Sequence, residues 1–477
     1  MIRKSIHKTV LILLPVVLMT GCKVFKEPVV TENKNVPASF AGAADSLSVK
    51  NVSWKEYFAD ENLHILIDSA LKRNQELNIA LREIDILRNE VNDRRGEYLP
   101  FVALRADAGL EKEGRFTRHG AVDATGEILP GKEFPDPLPN YGVAMLASWE
   151  VDIWKKLRNA KKSAALRYLA GSEGRNFLVT NLIAEIANSY YELLALDNQL
   201  NIIRQNIGIQ TGMLEVVKQQ MASAKLTQLA VNRFEAQLLN TKNRQYEIQQ
   251  KIVEVENRIS FLTGSFPTHI PRSSASFVDV PMDSVSSGLP AYLFENRPDI
   301  RQAELQLAAA KLDVSVARAE FLPALRLVGG VGIEAFDVSR LLNPESLLFN
   351  VAGDLIAPLV NRNAIKARYR NATAMQAQAV YNYEQTVLNA YVDVVNNLAA
   401  VRNFDNSFLT KSQEAGILMQ SVSISNSLFR SARADYLEVL LTQQEALESK
   451  MELVEIKQKQ MNARVNLYRS LGGGWTN

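Results

Sequence analysis

Asn74-Gln75-Glu76-Leu77 with Ala80, followed by Tyr98-Leu99-Pro100, is answered later in the chain by Arg297-Pro298-Asp299-Ile300 with Ala303, followed by Phe321-Leu322-Pro323. From Asn74 to Arg297, and from Pro100 to Pro323 alike, the displacement is 223 residues, so the two stretches match without a gap. The correspondence continues in Arg158-Asn159-Ala160 against Arg362-Asn363-Ala364, in Asn188 and Tyr190 against Asn389 and Tyr391, and in Leu262-Thr263-Gly264 against Leu471-Gly472-Gly473. The chain is thus a duplicated helix–strand–strand–helix–helix unit. Two similar staves of this kind belong to an object larger than one copy.

The helices carry coiled-coil spacing. Leu193, Leu200, Ile207 and Leu214 recur every seven residues, with Leu196, Ile203 and Val217 on the companion seam. Leu440, Leu447, Val454, Met461 and Tyr468 repeat the pattern near the end of the chain, as do Leu239, Tyr246 and Val253 at the matching place in the first half. Sustained sevens predict helices packed along their length, supercoiled to keep the seam inward. No proline interrupts residues 155–222, and at about 1.5 Å per residue that helix reaches roughly 100 Å. Residues 225–263 run back beside it. The short break Ser223-Ala224-Lys225, matched by Ser431-Ala432-Arg433, separates the members of each antiparallel pair. Gln210, Gln443 and Lys450 interrupt the companion seam and predict wet sides. On heptads alone, a long exposed coiled coil in a structural protein fits equally.

Four short segments alternate with period two. Val143, Met145, Ala147, Trp149 and Val151 oppose Ser148, Glu150 and Asp152; Leu347, Phe349, Val351 and Leu355 oppose Asn350 and Asp354. Leu325, Leu327, Val331 and Ile333 oppose Arg326 and Glu334; Val102, Leu104, Ala106, Ala108 and Leu110 oppose Arg105, Asp107 and Glu111. Each has the length of a membrane-crossing β-strand, apolar outside and charged inside. Amphipathic hairpins over a soluble core fit any one of them as well. Four strands cannot close a barrel, and an open edge in lipid leaves backbone groups unpaired. The smallest closed barrels take about eight strands, so the chain is expected to associate with copies of itself.

The N-terminus supplies a compartment. Arg3, Lys4 and Lys8 precede an apolar run over residues 10–19, too short to span a bilayer. The run ends in Leu18-Met19-Thr20-Gly21-Cys22, which resembles a bacterial lipoprotein lipobox with Met in place of the usual Leu. Cys22 is the one cysteine of 477 residues, so no internal disulfide forms, and it is expected to be the lipidated first residue of the mature chain. A formal net charge of +2 argues against a nucleic-acid partner. His7 leaves with the signal, and His64, His119 and His269 stand alone. No nucleophile-elbow, zincin or phosphate-loop pattern appears, so no catalytic, cofactor or metal site is expected.

The most specific stretches are Trp54 ahead of Leu63-His64-Ile65-Leu66, the Arg297-Pro298-Asp299-Ile300 segment with Ala303-Glu304, and Arg433-Ala434-Asp435-Tyr436-Leu437-Glu438-Val439-Leu440. In these the chain resembles outer-membrane efflux proteins of the TolC family, in the lipoprotein branch that works with resistance-nodulation-division pumps. The resemblance implies a mainly α protein with a transmembrane β-barrel portion. A homotrimer would form a twelve-stranded barrel in the outer membrane, continued by a long α-helical barrel in the periplasm. Its partners would be a periplasmic membrane-fusion adaptor and an inner-membrane resistance-nodulation-division transporter. Function would be passive conduction of small molecules such as drugs or toxic compounds to the exterior. Two alternatives remain: an outer-membrane duct for type I protein secretion, and a lipid-anchored periplasmic coiled-coil adaptor.

On this reading the chain divides into a signal peptide 1–21 and a lipidated segment 22–62, then a first repeat 63–264 with strands near 100–112 and 141–153. A Ser- and Pro-rich linker 265–290 leads to a second repeat 291–473, with strands near 324–336 and 346–358, and a tail 474–477. The family narrows at the periplasmic tip, often with a ring of acidic residues. Asp435 is the candidate here, although some relatives place the carboxylate where this chain has Ala434. A helix N-cap or first-turn carboxylate beside the helix dipole explains Asp435 at least as well. Lys225 occupies the first turn, and Arg430 and Arg433 either pair with carboxylates to close the tip or are solvated surface charges.

Overall fold

A computed structural model describes residues 30–37, 39–40, 53–274, 277–280, 290–360, 362–431 and 433–475. The signal segment 1–21 and Cys22 lie outside these residues. Helices α1 (Trp54–Tyr57), α2 (Glu61–Arg73) and α3 (Gln75–Tyr98) lead into β1 (Phe101–Glu111). The excursion that follows folds as α4 (Arg118–Asp123) and a small ribbon of β2 (Glu127–Leu129) and β3 (Lys132–Glu133). Then come β4 (Leu138–Val151), α5 (Lys156–Ala222) and α6 (Gln228–Leu262). The second half gives α7 (Leu293–Asn296), α8 (Pro298–Ala319), β5 (Ala324–Ala335), β6 (Leu347–Ile356), α9 (Asn363–Arg430) and α10 (Tyr436–Ser470). The long helices hold 67 and 68 residues and their return partners 35 each, so the duplication is nearly isometric.

The described residues divide into two compact units, one comprising residues 30–31, 85–169 and 305–381, the other the remainder. The first holds a four-stranded antiparallel sheet in the order β1-β4-β5-β6. Trp149 Nε1 donates to Tyr98 O at 3.1 Å, pinning β4 to the end of α3, and Trp154 Nε1 donates to Pro323 O at 2.7 Å, tying the turn after β4 to the α8–β5 connection. The matched arginines repeat a contact as well as a sequence. Arg158 lies 6.0 Å from the Tyr98 ring centre and Arg362 4.9 Å from that of Phe321, a cation–π pair in each half. Asp152, expected on the inward strand face, does otherwise. The strand stops at Val151, and the buried Asp152 carboxylate accepts from Leu157 N at 3.1 Å and Arg158 N at 2.9 Å, capping α5.

The second unit shows the duplication at its helix ends. Asn74 Nδ2 donates to Leu262 O at 2.9 Å, closing the end of α6 onto the start of α3. At the matching place Arg297 Nη1 donates to Ser470 O at 3.0 Å, closing α10 onto α8. Each closure brings a left-handed glycine against backbone: Gly264 has φ +68 and Gly472 φ +88, so the counterpart of Gly264 is Gly472 and not the Gly473 that the sequence match pairs with it. A Cβ there would meet Arg73 O at 2.4 Å and Asn296 O at 2.5 Å respectively. The largest side chains buried in this unit include Tyr190, Phe58, Leu63 and Ile67, each Leu or Ile contributing about 1.5–3 kcal/mol. Tyr190 OH donates to Asp60 Oδ2 at 2.7 Å, and Asp60 caps α2. Gln210 and Gln443 correct the expectation of a wet side: both are buried, and Gln443 Nε2 donates to Asn426 Oδ1 at 3.2 Å.

The segment after α6 is a pinned strap. Arg272, largely buried, donates to Asp197 Oδ2 on α5 at 2.6 Å and also bonds Glu256 on α6. Asn198 Nδ2 donates to Ser274 O at 2.7 Å, Phe277 is buried, and Lys457 Nζ of α10 donates to Val280 O at 2.7 Å. N-terminal residues are also tied down: Asn33 N donates to Glu384 Oε1 at 2.8 Å, and Phe40 stacks on Tyr391 at 5.4 Å.

Two measurements test these contacts. Gly264→Ala combines a clash with an unfavourable φ and should cost about 1–3 kcal/mol, whereas Gly416→Ala, in open space within α9, should gain up to about 1 kcal/mol. Equal effects on the thermal midpoint would discount the closure. Burial, then Arg464, pushes the Lys457 ammonium down from 10.5 to about 8, against the pull of Asp279 and Asp405. Between those values the unfolded chain holds a proton that the folded chain has released, so this group makes stability rise with pH over that window. Lys457→Met should remove that rise in midpoints followed across it.

Candidate functional site

Strand register decides which side chains share a face. Leu104 stands opposite Met145, Met145 opposite Val331, and Val331 opposite Phe349. The same rows carry Val102, Ala147, Gly329 and Val351, and Trp149, Leu327 and Gly353. All the residues expected to point outward therefore lie on one face. It is apolar and bare: Leu104 is 75% exposed, Phe349 79% and Val351 86%. Unpartnered apolar surface of this extent on a soluble monomer would be a liability; against lipid it is the required solvent match. The outermost strands β1 and β6 pair on one side only within the protomer.

The opposite face is charged at its two ends and not along its whole height, which refines the expectation of a charged interior. Near one end Arg105 Nε lies 3.2 Å from Asp107 Oδ1, and Asn140 Nδ2 donates to Glu334 Oε1 at 2.7 Å. At the other end Glu150, Arg326 and Asp354 are cross-strand neighbours in one row. Between them stand two uncharged rows, Phe101, Ser148, Val328 and Ala352, then Ala103, Leu146, Gly330 and Asn350, while Arg105 itself shares a row with Ala144, Gly332 and Leu348. The glycines are spatially required. A Cβ on Gly332 would meet Ala144 Cβ at 2.6 Å, and one on Gly330 would meet Asn350 Oδ1 at 3.0 Å.

At the hairpin turns, one apolar cluster joins both hairpins of a protomer. Met213, Leu214, Val217, Ala230, Val231, Phe234 and Leu238 of the first pack with Phe429 and Val439 of the second. The seam leucines near the first turn were legible as heptads; the Phe429 contribution is a long-range pairing that periodicity does not encode. The two turns close alike, Lys225 N donating to Gln220 O and Arg433 N to Leu428 O, each at 2.9 Å. Lys225, Arg430, Arg433 and Asp435 are all exposed, and Cys22 is outside the described residues. Asp435 is the N-cap of α10, its Oδ1 accepting from Tyr436 N at 2.6 Å.

The coiled-coil seams divide unequally. Leu447, Val454 and Met461 on α10 are buried within the protomer. Their counterparts on α6 are bare: Leu239 is 59% exposed, Tyr246 68% and Val253 49%. Among the described residues no helix is long and apolar enough to cross a membrane, and no group of His, Cys, Asp and Glu is arranged to hold a metal ion.

A sheet apolar on one face and polar on the other, open at both edges, together with paired helices bearing a vacant seam, defines a self-associating barrel protein of a membrane. The chain belongs to the outer membrane efflux protein family, whose sequence model matches residues 66–265 and 289–473. It is similar to the solvent efflux pump outer membrane protein SrpC of Pseudomonas putida, at 26% identity over 467 residues, 96% of this chain and 97% of that protein. The pyoverdine export outer membrane protein OpmQ of Pseudomonas putida is 28% identical over 434 residues, 91% of this chain and 90% of its own. The open state of the Neisseria gonorrhoeae MtrE outer membrane channel has the same fold, with TM-score 0.82 at 22% identity, covering 95% of this chain and 99% of that one.

Proposed function

We propose that this protein is the outer-membrane exit duct of a tripartite efflux system, conducting small molecules passively from a periplasmic pump to the exterior. It works as a homotrimer with a periplasmic membrane-fusion adaptor and an inner-membrane resistance-nodulation-division transporter, and it is not an enzyme. The single observation that carries this reading is the unfinished wall. An apolar sheet face with two half-paired edges is stable in hydrocarbon only when neighbouring copies complete the hydrogen bonding. The helices support it by quasi-equivalence. What α10 buries inside the protomer, α6 leaves bare at the matching positions, which suits burial against a neighbour. A periplasmic coiled-coil adaptor would have no use for such a sheet. Protein secretion is a second use of the same architecture, and the pump-associated names of the relatives favour small solutes.

The remaining assignments belong to the same reading. Residues 1–21 are the signal and Cys22 the lipid anchor, with 22–62 leading to the helices. Repeats 63–264 and 291–473 are the staves, 265–290 the link between them and 474–477 a tail. Asp435, with Arg430, Arg433 and Lys225, forms the periplasmic gate.

Purified in mild detergent, the protein should have the mass of three chains plus detergent and should form channels in a planar bilayer; a non-conducting monomer would refute the duct. Tyr246→Glu should shift that mass toward smaller species. Asp435→Asn keeps the capping acceptor and removes the charge. It should therefore weaken cation preference or multivalent-cation blockade while leaving the folding stability within about 0.5 kcal/mol. Unchanged selectivity would dismiss Asp435 from the gate.

A further inference from the structure

The row Glu150–Arg326–Asp354 places one guanidinium between two carboxylates on adjoining strands, with cross-strand neighbours about 5 Å apart. The three lie on the face turned away from the apolar surface, and on the duct reading, on which this inference rests, that face lines the lumen. At this end of the sheet a cleft of about 980 Å³ is lined by Arg94, Glu97, Glu150, Lys156, Arg326 and Arg368 among others. The surrounding charges are already matched. Arg94 Nη1 lies 3.0 Å from Glu97 Oε1, Lys156 pairs with Glu150, and Arg368 Nε lies 2.7 Å from Glu320 Oε2. Along the strands the next inward positions are Ser148, Val328 and Ala352, then Leu146, Gly330 and Asn350. None of these is ionisable, so nothing nearby on the sheet would offset a change in the row.

We propose that Arg326 is a selectivity-setting residue of the channel wall. It balances the carboxylates of its row, and in doing so keeps the barrel open to anionic and zwitterionic solutes as well as cations. With Lys156 engaging Glu150, Arg326 and Asp354 are left to cancel one another. Removing Arg326 leaves an added negative charge on every protomer; removing the Asp354 charge leaves an added positive one. Either excess acts across the lumen when the screening length is long, about 30 Å at 0.01 M ionic strength, and fades at about 3 Å near 1 M.

The test is the reversal potential of the full-length lipoprotein in planar bilayers under a potassium chloride gradient. At low ionic strength Arg326→Gln should raise the cation-to-anion permeability ratio by roughly threefold or more, Asp354→Asn should lower it, and the double variant should return near the unmodified value. All three differences should collapse near 1 M salt. A purely structural role predicts changed assembly or conductance without this opposed, salt-dependent pair of shifts. Conducting Arg326→Gln channels with an unchanged reversal potential would overturn the proposal while leaving the duct intact. Should that variant fail to assemble, Asp354→Asn decides alone, and an unshifted potential overturns the proposal equally. Unmodified protein that does not conduct would remove the duct reading itself.

Discussion

Backbone hydrogen bonding in hydrocarbon is the constraint from which the rest follows. A peptide group on a lipid-facing sheet has no water to turn to, so a strand paired on one side only is unfinished. Here β1 and β6 are both in that position, and the apolar face they border is bare across all four strands. Self-association is thus a condition of the fold. On the polar face Gly330 and Gly332 stand where a Cβ would crowd Asn350 and Ala144.

Duplication is the second organising fact, and its strongest evidence lies in contacts. Asn74 and Arg297 are chemically unlike, yet each donates to the last carbonyls of its own return helix. Gly264 and Gly472 adopt left-handed backbone for the same reason, a carbonyl packed where a Cβ would be. Arg158 and Arg362 each cover an aromatic ring, Tyr98 at the end of α3 and Phe321 just past the end of α8. Geometry has been kept at these joints while residue identity drifted.

Much of this was legible in the sequence because it is periodic. Alternation located the four strands and assigned their faces, and heptads located the long helices and the buried seam of α10. Where a residue's fate depends on a distant partner, periodicity was blind. Gln210 and Gln443 look like breaks in a seam, yet both are buried. Asp152 continues the strand alternation on paper, but the chain turns after Val151 and uses its carboxylate to cap α5. Residues 265–274 and 277–280 have the composition of a loose linker, and only the ion pairs of Arg272, the burial of Phe277 and the Lys457–Val280 bond show them pinned to α5, α6 and α10. At the tip, the motif names Asp435 and offers it as a helix cap, and the fold gives that cap its partner in Tyr436 N.

The inequality between α6 and α10 has a consequence for how lesions in the two halves present themselves. Positions Leu447, Val454 and Met461 are satisfied by the chain's own helices, so damage there is a unimolecular matter, indifferent to dilution. On the trimer reading Leu239, Tyr246 and Val253 are covered by another molecule, and any weakening there is governed by mass action. One ancestral heptad has come to answer to two different laws: in one half the folding equilibrium alone, in the other the abundance of the protein in its membrane.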